Sequence, residues 1–105
     1  MITYRVVVSA DAKADLKRYI AYLQKKKRNP QAAGNVLDDF RQTRITLAHS
    51  AGAIGLPESE ELQKRGLKRM NFLRHDYFLL YKVDGNLAIV TNIFHALEDF
   101  ENKLK

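Results

Sequence analysis

The chain has 105 residues, with Lys+Arg 18 against Asp+Glu 12, a formal charge of +6 and no cysteine. That length fits one domain over 1–105, and the missing cysteine excludes disulfides, thiolate metal sites and a cysteine nucleophile, which suits a reducing cytoplasm. The longest apolar runs, such as Phe78–Tyr81, fall far short of the roughly 20 residues of a membrane span, and Met1–Val8 lacks the apolar stretch and cleavage site of a signal peptide.

Tyr4–Val8 is β-branched and aromatic and predicts a first strand. Ser9 offers an N-cap oxygen, and Ala10–Lys27 has helical composition without Gly or Pro. Its apolar positions, Ala12, Leu16, Tyr19, Ile20 and Leu23, share one stripe of a 3.6-residue period. Asn29-Pro30 stops this helix and starts another, Asn29 as cap and Pro30 in the first turn. The second helix is expected to reach about His49, with a stripe of Ala33, Val36, Leu37, Phe40 and Leu47 and with Thr43 or Arg44 at the intervening turn. The short link makes the two helices an antiparallel hairpin.

Ser50–Ser59 contains Gly52, Gly55 and Pro57 and reads as a loop, and Glu60–Arg65 as a short turn. Leu67–Arg74 alternates, with Met70 and Phe72 on one face and Arg69 and Asn71 on the other. Tyr77–Val83 is apolar almost throughout, which marks a strand covered on both faces. Asp84-Gly85-Asn86 is a hairpin turn signal, Leu87–His95 the partner strand, and Ala96–Leu104 a short helix. The expected fold class is therefore α+β: an N-terminal strand and two-helix hairpin packed on an antiparallel sheet of about four strands, closed by a short C-terminal helix.

The positive charge is concentrated. Lys13, Lys17, Arg18, Lys25, Lys26, Lys27 and Arg28 fall on or just after the first helix, and Lys64, Arg65, Lys68, Arg69 and Arg74 surround the second strand. Such a surplus attracts a polyanion or an acidic partner. At Lys25–Arg28 the simpler account is a helix end where cations suit the macrodipole. Lys64, Arg65, Lys68 and Arg69 are candidate nucleic-acid- or partner-binding residues, with a solvated strand edge as the plain alternative. No His/Asp/Glu spacing resembles a metal site, and nothing calls for a cofactor.

Ser9-Ala10-Asp11-Ala12-Lys13-Ala14-Asp15-Leu16, followed by Ile20 and Tyr22, resembles the opening of RelE/ParE-family toxins, where a strand leads through a small-residue turn into an Ala-x-x-Asp-Leu helix. Leu73-Arg74-His75-Asp76-Tyr77-Phe78-Leu79-Leu80-Tyr81 is similar to the family's central strand. The tail Ile89-Val90-Thr91-Asn92-Ile93-Phe94-His95-Ala96-Leu97-Glu98-Asp99 resembles the ParE ending. The likeness covers nearly the whole chain in the same order of elements. It implies the toxin of a type II toxin–antitoxin pair, silenced by a cognate antitoxin. It also implies one of two activities. RelE-type members cut messenger RNA in the ribosomal A site, and ParE-type members bind DNA gyrase and turn it into a source of DNA breaks.

RNA cleavage of the first kind needs a base for the ribose 2′-OH, cations for the phosphorane and an acid for the leaving oxygen. If the chain is RelE-like, Arg74 is the candidate cation, since its planar fork suits a phosphate. His95 is then the candidate acid or base, and Tyr77 a group that stacks on a base or donates a proton. Each has a plainer reading as a strand-end or core residue. His49 and His75 read as surface residues. One departure decides the preference. Where the resemblance places an arginine important for cleavage, after the strand's tyrosine, this chain has Phe78. An apolar ring cannot neutralise a phosphorane, and losing one such donor costs about 100-fold or more in rate. The lysine base is not clearly matched either, with only Lys64 before Gly66. The ParE-like reading is therefore preferred, with the RelE-like messenger endoribonuclease as the alternative. An acidic antitoxin segment is expected across the helical hairpin and the basic sheet face, or along Tyr4–Val8 if that strand is an edge.

Overall fold

In a computed structural model, residues 3–104 are described; Met1, Ile2 and Lys105, which belong to the expected 1–105 domain, lie outside them. The elements run β1 (Arg5–Val8), α1 (Ala10–Lys25), α2 (Pro30–Ser50), α3 (Glu60–Lys64), β2 (Lys68–Asn71), β3 (Tyr77–Asp84), β4 (Leu87–His95) and α4 (Phe100–Lys103). The α+β class and the order of elements are as the sequence predicts.

The helix starts are built from the expected caps. Ser9 Oγ accepts from the Ala12 amide at 3.1 Å, and Asn29 Oδ1 from the Ala32 amide at 3.0 Å with Pro30 in the first turn. Between the two helices Arg28 takes φ 48°, the left-handed region that costs a side chain about 1–2 kcal/mol. Arg28→Gly is therefore expected to stabilise the fold by about 0.5–1 kcal/mol, the glycine's greater freedom when unfolded offsetting part of the gain. Thermal unfolding followed by circular dichroism checks this, and an unchanged or lower midpoint would count against it.

The four strands form one sheet in the order β1-β4-β3-β2. β2, β3 and β4 make the expected antiparallel meander. β1 departs from the all-antiparallel expectation, because it pairs parallel with β4, Arg5 opposite Leu87 and Val8 opposite Val90. The reason lies where β1 ends. The Ser9 amide donates to the Val90 carbonyl at 2.9 Å and Ser9 Oγ to the Thr91 carbonyl at 3.1 Å, so the chain leaves β1 still moving along β4. α1 then takes over the β4 edge: Asp15 Oδ2 accepts from the Ile93 amide at 2.9 Å and the Tyr19 hydroxyl from the His95 amide at 3.1 Å. An antiparallel β1 would carry α1 to the other end of β4 and leave those amides open. A polar helix face thus stands in for a longer edge strand.

The sheet is buried on both faces, as the apolar run of β3 predicts. Leu79 and Tyr81 pack with Ala12, Val36, Phe40, Leu47, Val90 and Ile93 beneath the helical hairpin. Phe78 and Leu80 pack on the opposite face with Leu62, Leu67 and Phe94, flanked by Phe100 and Leu104. Val90 and Ile93 are three residues apart, yet both face the hairpin. An irregularity opposite Leu80/Tyr81 allows this, since Leu80 pairs with Asn92 but Tyr81 with Val90, which leaves Thr91 as the extra residue.

Two elements are shorter than expected. β2 stops at Asn71 rather than Arg74, because the amides of Leu73, Arg74 and His75 turn away to a buried carboxylate on α2. The C-terminal helix is Phe100–Lys103 rather than Ala96–Leu104. Its predicted first turn instead folds back so that Glu98 Oε1 accepts from the His95 amide at 3.1 Å.

Candidate functional site

The residues singled out from the sequence fall into three places. Tyr77 and His95 are direct partners across β3 and β4, with their rings 5.0 Å apart and nearly perpendicular. Tyr19 of α1 meets Tyr77 edge-on at 5.1 Å. Glu98 closes this end of the sheet. Burial would push its carboxyl up, but Lys103 Nζ, the His95 amide and the Arg18 charge outweigh that and hold it below its usual value. Its Oε1 also accepts from the Tyr19 hydroxyl. Tyr77 is raised above the ordinary phenol value, first by burial and then by neighbouring Tyr22. Its hydroxyl is thus harder to ionise, which works against a role as general base at neutral pH.

Arg74 lies in the β2–β3 turn. Its side chain is exposed and forms no ion pair among the described residues. Arg69, Arg74 and Tyr77 border one shallow depression of about 230 Å³. What sets this turn is Asp39, only 4 % exposed. Its Oδ1 accepts from the Leu73 amide at 3.1 Å and from Thr43 Oγ1 at 3.4 Å. Its Oδ2 accepts from the amides of Arg74 at 3.0 Å and His75 at 2.8 Å. His75 Nδ1 lies 2.6 Å from the same oxygen, and it must donate because an ionised carboxylate only accepts. Burial alone would raise the Asp39 carboxyl, but the His75 ring and the two amides outweigh it and lower the pKa. His75, expected at the surface, is half-buried by this contact. Asp39 was not among the residues the sequence singled out. The available signal is its place on the buried stripe of α2, three residues after Val36 and four before Thr43.

The four candidate binding residues do not share a face. Lys64 and Arg65 belong to α3 and its cap, and Arg65 Nε pairs with Glu61 at 2.8 Å. Lys68 Nζ donates to the Ile54 carbonyl at 2.8 Å. Lys68 pairs with Tyr81 and Arg69 with Leu80, so the alternation of a strand sends their side chains to opposite faces. The Arg69 guanidinium stacks 3.8 Å from the centre of the Phe78 ring, and burial lowers its pKa. Phe78 itself is 0 % exposed, with Phe94 at 5.7 Å and Phe100 at 5.3 Å. The sheet face opposite the helical hairpin is therefore filled at its centre by an aromatic cluster capped by α3 and α4.

A family model described as the ParE toxin of the type II toxin–antitoxin system parDE matches residues 6–100. The chain belongs to the ParE toxin family. No curated protein matches the sequence. Among solved structures, the chain is similar to one from the chromosomal ParDE toxin–antitoxin system of P. aeruginosa. There the TM-score is 0.70 and the identity 19%, covering 89% of this chain and 96% of that one. It is also similar to one from the toxin–antitoxin complex RelBE2 of Mycobacterium tuberculosis, with a TM-score of 0.58 and 22% identity over 90% of this chain and 99% of that one. At these identities the two structures speak for the ParE-family fold and not for a target. Among the described residues no helix is long and apolar enough to cross a membrane.

Proposed function

We propose that this ParE-family chain arrests growth by acting on DNA gyrase in the cytoplasm and is neutralised by a cognate antitoxin. The observation that carries the choice of target is Phe78. At the position where a ribonuclease of this superfamily is expected to present an arginine to the phosphate, the chain has a fully buried ring with Arg69 laid over it. Arg74 remains available to a target, and Lys64 to the same target or to the antitoxin, as is Arg65 if it gives up its partly exposed pair with Glu61. Lys68 and Arg69 are already engaged within the fold. The alternative is ribosome-dependent cleavage of messenger RNA, with Arg74 as the cation and Tyr77 and His95 as proton-transfer groups.

The antitoxin is expected on the helical hairpin. Leu16, Ile20, Ala21 and Leu37 line an apolar groove of about 410 Å³ between α1 and α2, with Lys17 at its rim. That combination fits the apolar face of a helix carrying an acidic residue, where burial provides affinity and the charge sets register. β1 is an edge strand, but α2 already covers part of its outer side. The Tyr4 amide donates to the Ala48 carbonyl at 2.7 Å and Arg44 to the Val6 carbonyl at 3.1 Å. The hairpin groove is therefore favoured over an added strand.

The purified protein is expected to trap gyrase on plasmid DNA as a cleaved complex and to leave ribosome-bound messenger intact in primer extension. Cuts in the A site, abolished by Arg74→Ala and accompanied by unaffected gyrase, would reverse the reading.

A further inference from the structure

On the helix side of the sheet, α1 and the ends of β3 and β4 enclose an open groove of about 590 Å³. This is within the roughly 300–1,000 Å³ typical of small-ligand sites. Its walls are Tyr19, Tyr22, Tyr77 and the His95 ring. Arg18 lies over Tyr19 at 5.0 Å and Lys27 over Tyr22 at 5.9 Å. Tyr22 is 49% exposed, so much of its ring is accessible to a ligand. The groove shares no lining residue with the hairpin groove proposed for the antitoxin.

We infer that this groove is a binding site for single-stranded nucleic acid, in which a base stacks on Tyr22 and the flanking phosphates meet Arg18 and Lys27. Flat rings beside cations are the combination that holds unpaired strands, since every base has a π-face and every nucleotide a phosphate. A cationic ligand, which an aromatic enclosure also attracts, is disfavoured here. The one acid in the groove, Glu98, is already bound to Tyr19, His95 and Lys103, whereas Arg18 and Lys27 stand at the rim. The Arg18–Asp15 pair at 3.3 Å does not remove this charge, because Arg18 is largely exposed and such a pair is weak.

A strand is favoured over a lone nucleotide by spacing. Arg18 lies on α1 and Lys27 beyond its last residue, Lys25, and their heads lie over different rings. At the Lys27 end of the groove the charge also continues in the chain, through Lys25, Lys26 and Arg28 around the end of α1. One phosphate group cannot use cations so distributed, whereas successive phosphates of a strand can.

The chain has five tyrosines and no tryptophan, which makes the site directly visible. Addition of an oligodeoxythymidylate to the full chain, with no gyrase present, is expected to quench tyrosine fluorescence and raise the anisotropy of a labelled strand. Tyr22→Ala, which leaves the charge unchanged, should weaken binding about tenfold or more, and Tyr22→Phe should restore it. Lys27→Gln should reduce the slope of log affinity against log salt by about 0.7. Three results would overturn the inference. One is Tyr22→Ala binding the strand as the parent does. Another is a duplex of equal length bound as tightly and equally insensitive to Tyr22, which would mean bare charge attraction. The third is thymidine monophosphate bound as tightly as the strand, or an acidic peptide occupying the groove in its place. Failure here leaves the gyrase reading untouched, because that assay reads a different target.

Discussion

Asp39→Ala is expected to destabilise the protein by about 3 kcal/mol or more, a large part of the roughly 5–15 kcal/mol that holds a domain of this kind folded. The carboxylate accepts from three successive amides of the β2–β3 turn, from Thr43 and from the His75 ring. Hydrogen bonds to a charged acceptor contribute about 1.5–3 kcal/mol each when removed singly, and here they act on one turn and do not add. A urea titration of the parent and the variant measures the difference; a loss below about 1 kcal/mol would contradict the assignment. The pH dependence has a definite sign. The folded pKa of Asp39 lies below its unfolded value, so the stabilisation is fully present above the unfolded pKa, about 3.9. It is lost as pH falls through the lower folded value. The parent should therefore lose stability more steeply than Asp39→Asn below about pH 4, and the two curves should run parallel above it. Because the same turn carries Arg74, the variant should also lose whatever activity depends on that side chain, even where it remains folded.

Phe78→Ala is expected to cost about 3–5 kcal/mol, and Phe78→Arg more. The ring is on a central strand with no exposed surface, between Phe94 and Phe100 and beneath Arg69. Removing it leaves a cavity that rigid β-strands on either side cannot close. Replacing it with arginine puts a second cation under the first, with no acid facing it in the cluster of Leu62, Leu67, Leu80 and Phe94. Phe78→Arg should therefore fail to fold at ordinary temperature rather than acquire messenger cleavage. Circular dichroism and primer extension on translated messenger read the two parts separately. A folded Phe78→Arg that cuts messenger would mean that the chain is a ribonuclease scaffold lacking only one cation, and the gyrase proposal would lose its main support.

Much of this architecture is written in local signals. Ser9, Asn29 and Pro30 cap and start the helices wherever they occur, because the groups they satisfy lie within three residues. The stripes of α1 and α2 and the alternation of Met70 and Phe72 against Arg69 and Asn71 follow from the 3.6- and 2-residue periods alone. The unbroken apolar run of β3 announces a strand buried on both sides, which the two packed faces require. Even the absence of a cleavage arginine is legible, since Phe78 stands where it is needed.

Other features depend on groups far apart in the chain, and no local period encodes them. β1 is parallel to β4 because Ser9, Asp15 and Tyr19 serve β4 amides and carbonyls about 80 residues away. The extra residue at Thr91 is invisible in a sequence where Val90 and Ile93 look out of phase, and only two simultaneous core contacts reveal that both face the hairpin. Asp39 reads as an ordinary helix acid until the 73–75 turn closes on it. Lys68 and Arg69 read as one basic patch until strand geometry sends them to opposite faces. The sequence alone determined the elements, their caps and the family. The tertiary structure decided strand direction, the anchoring of the Arg74 turn and which cations remain free for a partner. These rest on long-range hydrogen bonds and burial, whose partners exist only once the chain has folded.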